Sequence, residues 1–263
     1  MLEHLTHAAF AAGREIMAIH TAGPHVLYKN DCSPVTEADQ RAEDVILAAL
    51  QQAFPTIPVI AEEAVSSGIM PEISGGDFFL VDPLDGTKEF IAGNDDFTVN
   101  IALIRDGEPV TGVVLAPLLR TLWTGHEGIA EKLTLDEDFN IVSREEINTR
   151  SCPDAMMALI SRSHSTPETT AFVTQHGIRN FNSVGSSLKF CLIAEGQADV
   201  YPRFSRTMLW DTAAGDAILR AAGGITVTPE GAPLVYLPKI CTEEGLANGN
   251  FVAWGTPAMA ENT

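Results

Sequence analysis

Apolar residues recur at helical spacing from the start of the chain. Leu5, Ala9, Ala12, Ile16 and Ile19 share one face of residues 3–20, which predicts an amphipathic helix. The polar loop KNDCSPVT follows, with Pro34 as a breaker. Thr36 then reads as an N-cap, with Asp39 three residues on in the manner of a capping box. The helix it opens is expected to run to about Phe54, with Ala42, Val45, Ile46, Ala49 and Leu50 on one side. Pro55 and Pro58 close it.

Strand-like runs come next. Val59–Ala61 leads into Glu62-Glu63, and residues 78–81 lead into Asp82. Residues 97–104 and 110–116 flank Arg105-Asp106-Gly107-Glu108, a hairpin turn, and 122–124 add a short strand. Residues 125–150 are polar and charged, and a boundary is expected there. It divides an N-terminal α+β half, 1–125, from a C-terminal α/β half, 126–263. In the second half, strands at 158–161 and 198–201 alternate with helices at 166–177, 186–195 and 211–222. Gly177 ends the first of these helices and Gly223-Gly224 the last.

Charge narrows the partners. The 263 residues carry a net charge of −19, which repels nucleic-acid backbones and argues against a polymer partner. An anionic small substrate would need basic residues or bound cations to reverse the field locally. No apolar run reaches the roughly 20 residues of a membrane helix, and no signal peptide is read at the N-terminus. The four cysteines, Cys32, Cys152, Cys191 and Cys241, form no CxxC pair. That argues against zinc and a disulfide framework and suits a reducing cytoplasm. Peripheral association with a membrane stays open, although the charge disfavours anionic lipid.

The segment FFLVDPLDGTKEF, residues 78–90, carries the most chemistry. A buried strand ends in Asp82, and Asp85 follows three residues later around a proline turn. Carboxylates at a strand end suit a hard divalent cation such as Mg²⁺. Gly86 permits close backbone approach, and a helix starting there would aim its first amides at a phosphate. A capped turn would also account for Asp85 alone. Glu62 after its strand and Asp211 at a helix start fit the same constellation. Each can also be read as an ordinary solvated Glu or N-cap, and Asp39 as a capping-box residue.

DPLDGTKEF (82–90), with AEE upstream and WDTAAGDA (210–217) downstream, resembles the inositol monophosphatase superfamily of magnesium-dependent, lithium-sensitive phosphatases. Further co-linear stretches are KNDCSPVTEAD (29–39), FTVNIALI (97–104), SRSH (161–164) and GSSLKFCLIAEGQADVYPRF (185–204). They look most like the bacterial 3′(2′),5′-bisphosphate nucleotidase branch. The resemblance implies a layered αβαβα sugar-phosphatase fold with two or three Mg²⁺ ions in a cleft between the halves. Metal ligands would be Glu62, Asp82, Asp85 and Asp211 with the carbonyl of Leu84, and Asp39 would lie near a weaker third ion. Thr87 with Glu62 would orient the attacking water, which the metal activates, and Gly86 and Thr87 would cradle the phosphate.

Lys88, in DGTK, and Ser186, Lys189 and Arg203 match positions that contact the nucleotide in that branch; His164 matches one near the base or ribose. Lys189 and Arg203 can equally be solvated surface charges. The implied reaction is hydrolysis of adenosine 3′,5′-bisphosphate to AMP and phosphate, recycling a by-product of sulfate activation in sulfur metabolism. An inositol or sugar monophosphate phosphatase of the same fold is the alternative. A non-catalytic metal- or phosphate-binding protein is a remote one. Family members include monomers and homodimers, and the sequence does not choose.

Overall fold

The computed structural model describes residues 1–29, 34–73, 76–162, 166–238 and 242–256. The first half contains α1 (Leu2–Ala22), β1 (Val26–Tyr28), β2 (Pro34–Thr36), α2 (Glu37–Ala53), β3 (Val59–Ala61), α3 (Glu62–Ser66), β4 (Phe78–Asp85), α4 (Thr87–Ala92), β5 (Thr98–Arg105), β6 (Glu108–Ala116) and β7 (Thr121–His126). After it come β8 (Ile129–Leu135), β9 (Ile141–Glu146), β10 (Met157–Ser161), α5 (Pro167–Gln175), β11 (Asn180–Val184), α6 (Leu188–Ala194), β12 (Val200–Arg203), α7 (Leu209–Ala221), β13 (Ile225–Val227) and β14 (Phe251–Trp254). Among the described residues no helix is long and apolar enough to cross a membrane.

Strands β3 to β9 form one seven-stranded sheet in chain order, antiparallel except for the β3–β4 pair. A five-stranded sheet has the order β11-β10-β12-β14-β13, parallel across its first three strands. The chain changes sheet between Glu146 and Met157, later than the onset of polar sequence at 125, because β8 and β9 extend the first sheet.

Strand parity sorts the large sheet into two faces. Phe79, Val81, Val99, Ile101, Val113 and Leu115 bury against α1 and α2. Phe78, Leu80, Ala102, Ile104, Val114 and Ala116 bury against α6 and α7. The far side of α6 and α7 packs on Tyr201, Phe251 and Ala253 of the second sheet. The other face of that sheet presents Ala158, Val200, Val252 and Trp254 to Phe172 of α5. The order of layers is therefore α, β, α, β, α.

Local chemistry explains the element ends near the site. Thr36 and Asp39 make a reciprocal capping box at the start of α2, as the sequence predicts. Buried Glu43 of α2 accepts the amides of Glu63 and Ala64 at 2.7 and 2.8 Å, which anchors the start of α3 and hence Glu62. Helix α7 begins at Leu209 rather than at Asp211. Asp211 is its third residue and accepts the Met208 amide at 2.8 Å, closing the first turn from inside.

Candidate active site

Asp82 continues the parity of Phe78 and Leu80, so it faces the α6–α7 layer. Asp85, three positions on, would face the opposite side of a regular strand. The pairing shifts between them: Asp82 sits opposite Asn100, and Asp85 opposite Thr98. This one-residue bulge restores both carboxylates to the same side. Pro83 is tolerated there because β3 pairs β4 only as far as Val81, leaving no ladder amide to lose.

The two aspartates line a cleft of about 320 Å³ together with Glu62, Leu84, Gly86, Thr87, Lys88, Ser186, Lys189, Arg203 and Asp211. Residues from both halves of the chain thus meet at one place. Gly86 adopts φ +94° and opens α4, so the first-turn amides of Thr87–Ala92 lack intrahelical acceptors. The Thr87 hydroxyl lies 3.0 Å from Asp39 Oδ1 and 3.3 Å from the Leu84 carbonyl, both acceptors. Asp39 uses its other oxygen on Thr36, accepting from the amide at 2.7 Å and the hydroxyl at 2.8 Å.

The carboxylates raise one another's pKa. Burial pushes Asp82 well above the usual aspartate range, and Glu62, Asp85 and Asp211 add to the shift. Burial, then Asp85, does the same to Asp211. Asp85 is raised to about 6 by burial, with Lys189 opposing. Glu63 rises to about 7, through burial and then Glu62. Lys29 partly compensates, with its ammonium 2.7 Å from Glu62 and 2.6 Å from Glu63. Burial works against that ammonium, but the two glutamates outweigh it and hold Lys29 above the ordinary lysine range.

Among the described residues no three acidic, His or Cys side chains are closed into a ready ligand set. The donor chemistry nonetheless fits hard cations: several crowded carboxylates, a strand-end carbonyl and, among the described residues, no thiolate in the lining. A measurable consequence follows from the raised pKa values. A carboxylate with a raised folded pKa makes the folded chain bind more protons than the unfolded one, so stability falls as pH rises through that interval. In EDTA the melting temperature should therefore fall by about 5 °C between about pH 5 and 7.5, and saturating Mg²⁺ should flatten the curve. A cation-free melting temperature that rises across this window would contradict the assignment.

Lys189 and Arg203 are not solvated charges. They are 4% and 7% exposed. Lys189 donates to the carbonyls of Val184 at 3.1 Å and Ser186 at 2.5 Å, and stands over the Tyr201 ring. Burial lowers it to about 8, against the pull of Asp85. Arg203 donates to the carbonyls of Ser205 and Arg206, each at 3.2 Å. Lys88 is exposed at the rim. His164 lies outside the described residues.

Sequence reasoning did not single out Lys29, Arg162, Ser187 or Arg206. Arg162 and Arg206 line the cleft. Ser187 links Asn100, which donates to it at 2.9 Å, to the Asp211 carbonyl at 2.6 Å and Asp85 at 3.3 Å. The repeated serine in GSS was the available signal for Ser187, but its partners lie 24 to 102 positions away.

Comparison with known proteins agrees with this architecture. The model of the inositol monophosphatase family matches residues 1–254. The 3′(2′),5′-bisphosphate nucleotidase CysQ of Salmonella typhimurium is 45% identical over 241 residues, 91% of this chain and 95% of that protein. The crystal structure of CysQ from Bacteroides thetaiotaomicron, a bacterial member of the inositol monophosphatase family, superposes with a TM-score of 0.78. It is 36% identical and covers 96% of each chain. The IMPase of Thermotoga maritima, 24% identical, shares the fold with a TM-score of 0.75, covering 97% of this chain and 92% of its own. The layered architecture, the cleft and these likenesses together place the chain in the inositol monophosphatase family.

Proposed function

We propose that the chain is a Mg²⁺-dependent 3′(2′),5′-bisphosphate nucleotidase that hydrolyses adenosine 3′,5′-bisphosphate to AMP and phosphate. The observation that carries this reading is the composition of one cleft. In a chain of net charge −19, it brings Lys88, Arg162, Lys189, Arg203 and Arg206 to the same cavity as Glu62, Asp82, Asp85 and Asp211. A cleft for a single phosphate on a neutral sugar has less need of so many cations. The 45% identity to a bisphosphate nucleotidase supports the same substrate.

Glu62, Asp82, Asp85, Asp211 and the Leu84 carbonyl would hold two or three Mg²⁺ ions. When bound, such ions neutralise the transferring phosphoryl group and make water acidic enough to attack near neutral pH. The chain's own groups supply orientation. The Thr87 hydroxyl spends its proton on Asp39 or Leu84, so its lone pairs are left to accept a hydrogen bond from the attacking water. Asp39 would thereby act through Thr87, and Glu62, which lines the same cleft, would share the water. The amides of Gly86 and Thr87 lie at the start of α4, where a phosphate oxygen is favoured. Ser186, Lys189, Arg203 and His164 would meet the nucleotide. The N-terminal half brings the first ligands, and the C-terminal half brings Asp211 and these contacts. The reading places the enzyme in the cytoplasm.

Phosphate release with Mg²⁺ should be compared for adenosine 3′,5′-bisphosphate and inositol 1-phosphate, with EDTA and Li⁺ controls. The nucleotide should be preferred at least about tenfold in kcat/KM, EDTA should abolish release, and millimolar Li⁺ should inhibit. Preference for inositol phosphate would retain the metal site and reject the substrate. Release from neither would reject the function.

A further inference from the structure

Asp96 lies between α4 and β5, outside every residue assigned above, yet is only 4% exposed. Its partners come from the other half of the chain. Arg162 Nη1 donates to Oδ1 at 3.0 Å and Arg162 Nη2 lies 2.9 Å from Oδ2. The Gly185 amide donates to Oδ2 at 2.7 Å, and the Ser186 hydroxyl donates to the Asp96 carbonyl at 3.0 Å. The fit at Gly185 is close, since a Cβ there would stand 2.6 Å from Oδ2. Ser186 is held at φ +38°, a conformation that costs a non-glycine residue energy and needs such bonds to persist.

The same residue also lies beside the proposed phosphate cradle: a Cβ added at Gly86 would stand 3.2 Å from the Asp96 carbonyl oxygen. Asp96 is thus a strut. Its carbonyl lies beside the turn before α4, and its hydrogen bonds brace the two segments that bring Arg162 and Ser186 into the cleft. A carboxylate gripping both Nη atoms fixes the plane of the guanidinium. A fork fixed beforehand loses less entropy when it meets an anion. The Arg162 side chain remains 44% exposed at the cleft wall, so it is held without being covered.

We propose that Asp96 is a positioning residue for substrate selection, aiming the Arg162 guanidinium into the cleft as a further contact for the substrate's second phosphate. The inference rests on the bisphosphate nucleotidase reading. It assigns Arg162 to the non-reacting phosphate, whereas the carboxylate group and Thr87 act at the reacting one.

The test compares Asp96→Ala, Asp96→Asn, Arg162→Ala and Arg162→Lys with the unaltered enzyme. Substrates are adenosine 3′,5′-bisphosphate and adenosine 3′-monophosphate, and thermal melting against Mg²⁺ runs in parallel. Arg162→Ala and Asp96→Ala should each raise KM for the bisphosphate at least about tenfold, with kcat held within about threefold. KM for the monophosphate and the Mg²⁺ concentration for half-maximal thermal shift should stay within about threefold. A double variant combining Asp96→Ala with Arg162→Ala should lose little beyond Asp96→Ala alone, because the two residues act as one unit. Arg162→Lys, which keeps the charge but not the fork, should be intermediate.

Equal losses on both substrates, or a lowered kcat with a shifted Mg²⁺ requirement, would make Asp96 a merely structural residue and overturn the proposal. If Asp96→Ala fails to fold, Asp96→Asn and the Arg162 variants carry the same comparison. If the unaltered enzyme does not favour the bisphosphate, the nucleotidase reading fails. If it does and Arg162→Ala favours it equally, only this proposal fails.

Discussion

Replacing Asp85 by asparagine is expected to lower Mg²⁺-dependent turnover by about 10³-fold or more while leaving the chain folded. The substitution keeps the shape and removes one charge from a half-buried group. Burial, opposed by Lys189 and helped by Glu62, raises Asp85 to about 6, and its charge in turn helps to raise Asp82 and Asp211. Losing that charge relieves the cation-free protein, so in EDTA the variant should melt no lower than the unaltered chain. Its Ser187 neighbour, 3.3 Å from Oδ2, can adjust to an amide. The stabilisation conferred by Mg²⁺ should largely disappear. Asp211→Asn should behave alike, since an amide oxygen can still accept the Met208 amide that closes α7. Phosphate-release assays and melting curves with and without Mg²⁺ decide the matter. Either variant keeping more than about a tenth of normal turnover would remove these residues from the metal-binding set.

The second large effect lies away from the chemistry. Gly112 of β6 and Gly125 of β7 are cross-strand partners, and together they form a trough in the large sheet. Helix α7 rests in it. A Cβ at Gly112 would run into the Ala214 carbonyl oxygen and stand 2.7 Å from the Ala217 methyl. One at Gly125 would stand 2.6 Å from the Ile218 Cα and 2.8 Å from the Ala217 carbonyl oxygen. The obstacles are helix backbone, which cannot rotate away as a side chain can. Gly112→Val should therefore cost about 3 kcal/mol, roughly 6–12 °C in melting temperature, and any folded fraction should have α7 displaced. Because the first turn of α7 carries Asp211, turnover should fall at least about tenfold even where the variant is folded. Gly249→Ala is the control, since among the described residues nothing lies within 4 Å of a Cβ there. Unchanged melting and turnover in Gly112→Val would mean that α7 is not seated on this trough.

Some elements were legible because their own residues contain the instruction. The apolar faces of α1 and α2, and the Thr36–Asp39 box between them, are local patterns that the structure repeats. The hairpin at Arg105–Glu108 is another. Strand β9 was not legible: all six of its residues, Ile141–Glu146, are exposed, so no buried face leaves an alternation to read. Strand β11 is nearly as exposed, at the edge of the second sheet. Helix α7 was placed two residues late because Asp211 resembles an N-cap in sequence but accepts the Met208 amide from within the first turn.

The candidate site divides along the same line. By itself the sequence determined the carboxylates at 62, 82, 85 and 211, the helix-opening Gly86-Thr87 and the excess of negative charge that makes local cations necessary. These are residue types at short spacing, or a sum over the whole chain. Only the tertiary structure decided that Asp82 and Asp85 face one side, because that depends on a bulge defined by the partner strand. It also decided that Lys189 and Arg203 are buried, that Thr87 leans on Asp39, and that Asp96 reaches Arg162 across 66 positions. Those facts belong to pairs of residues brought together by packing, and a pair distant in the chain leaves no mark in the local pattern of either member.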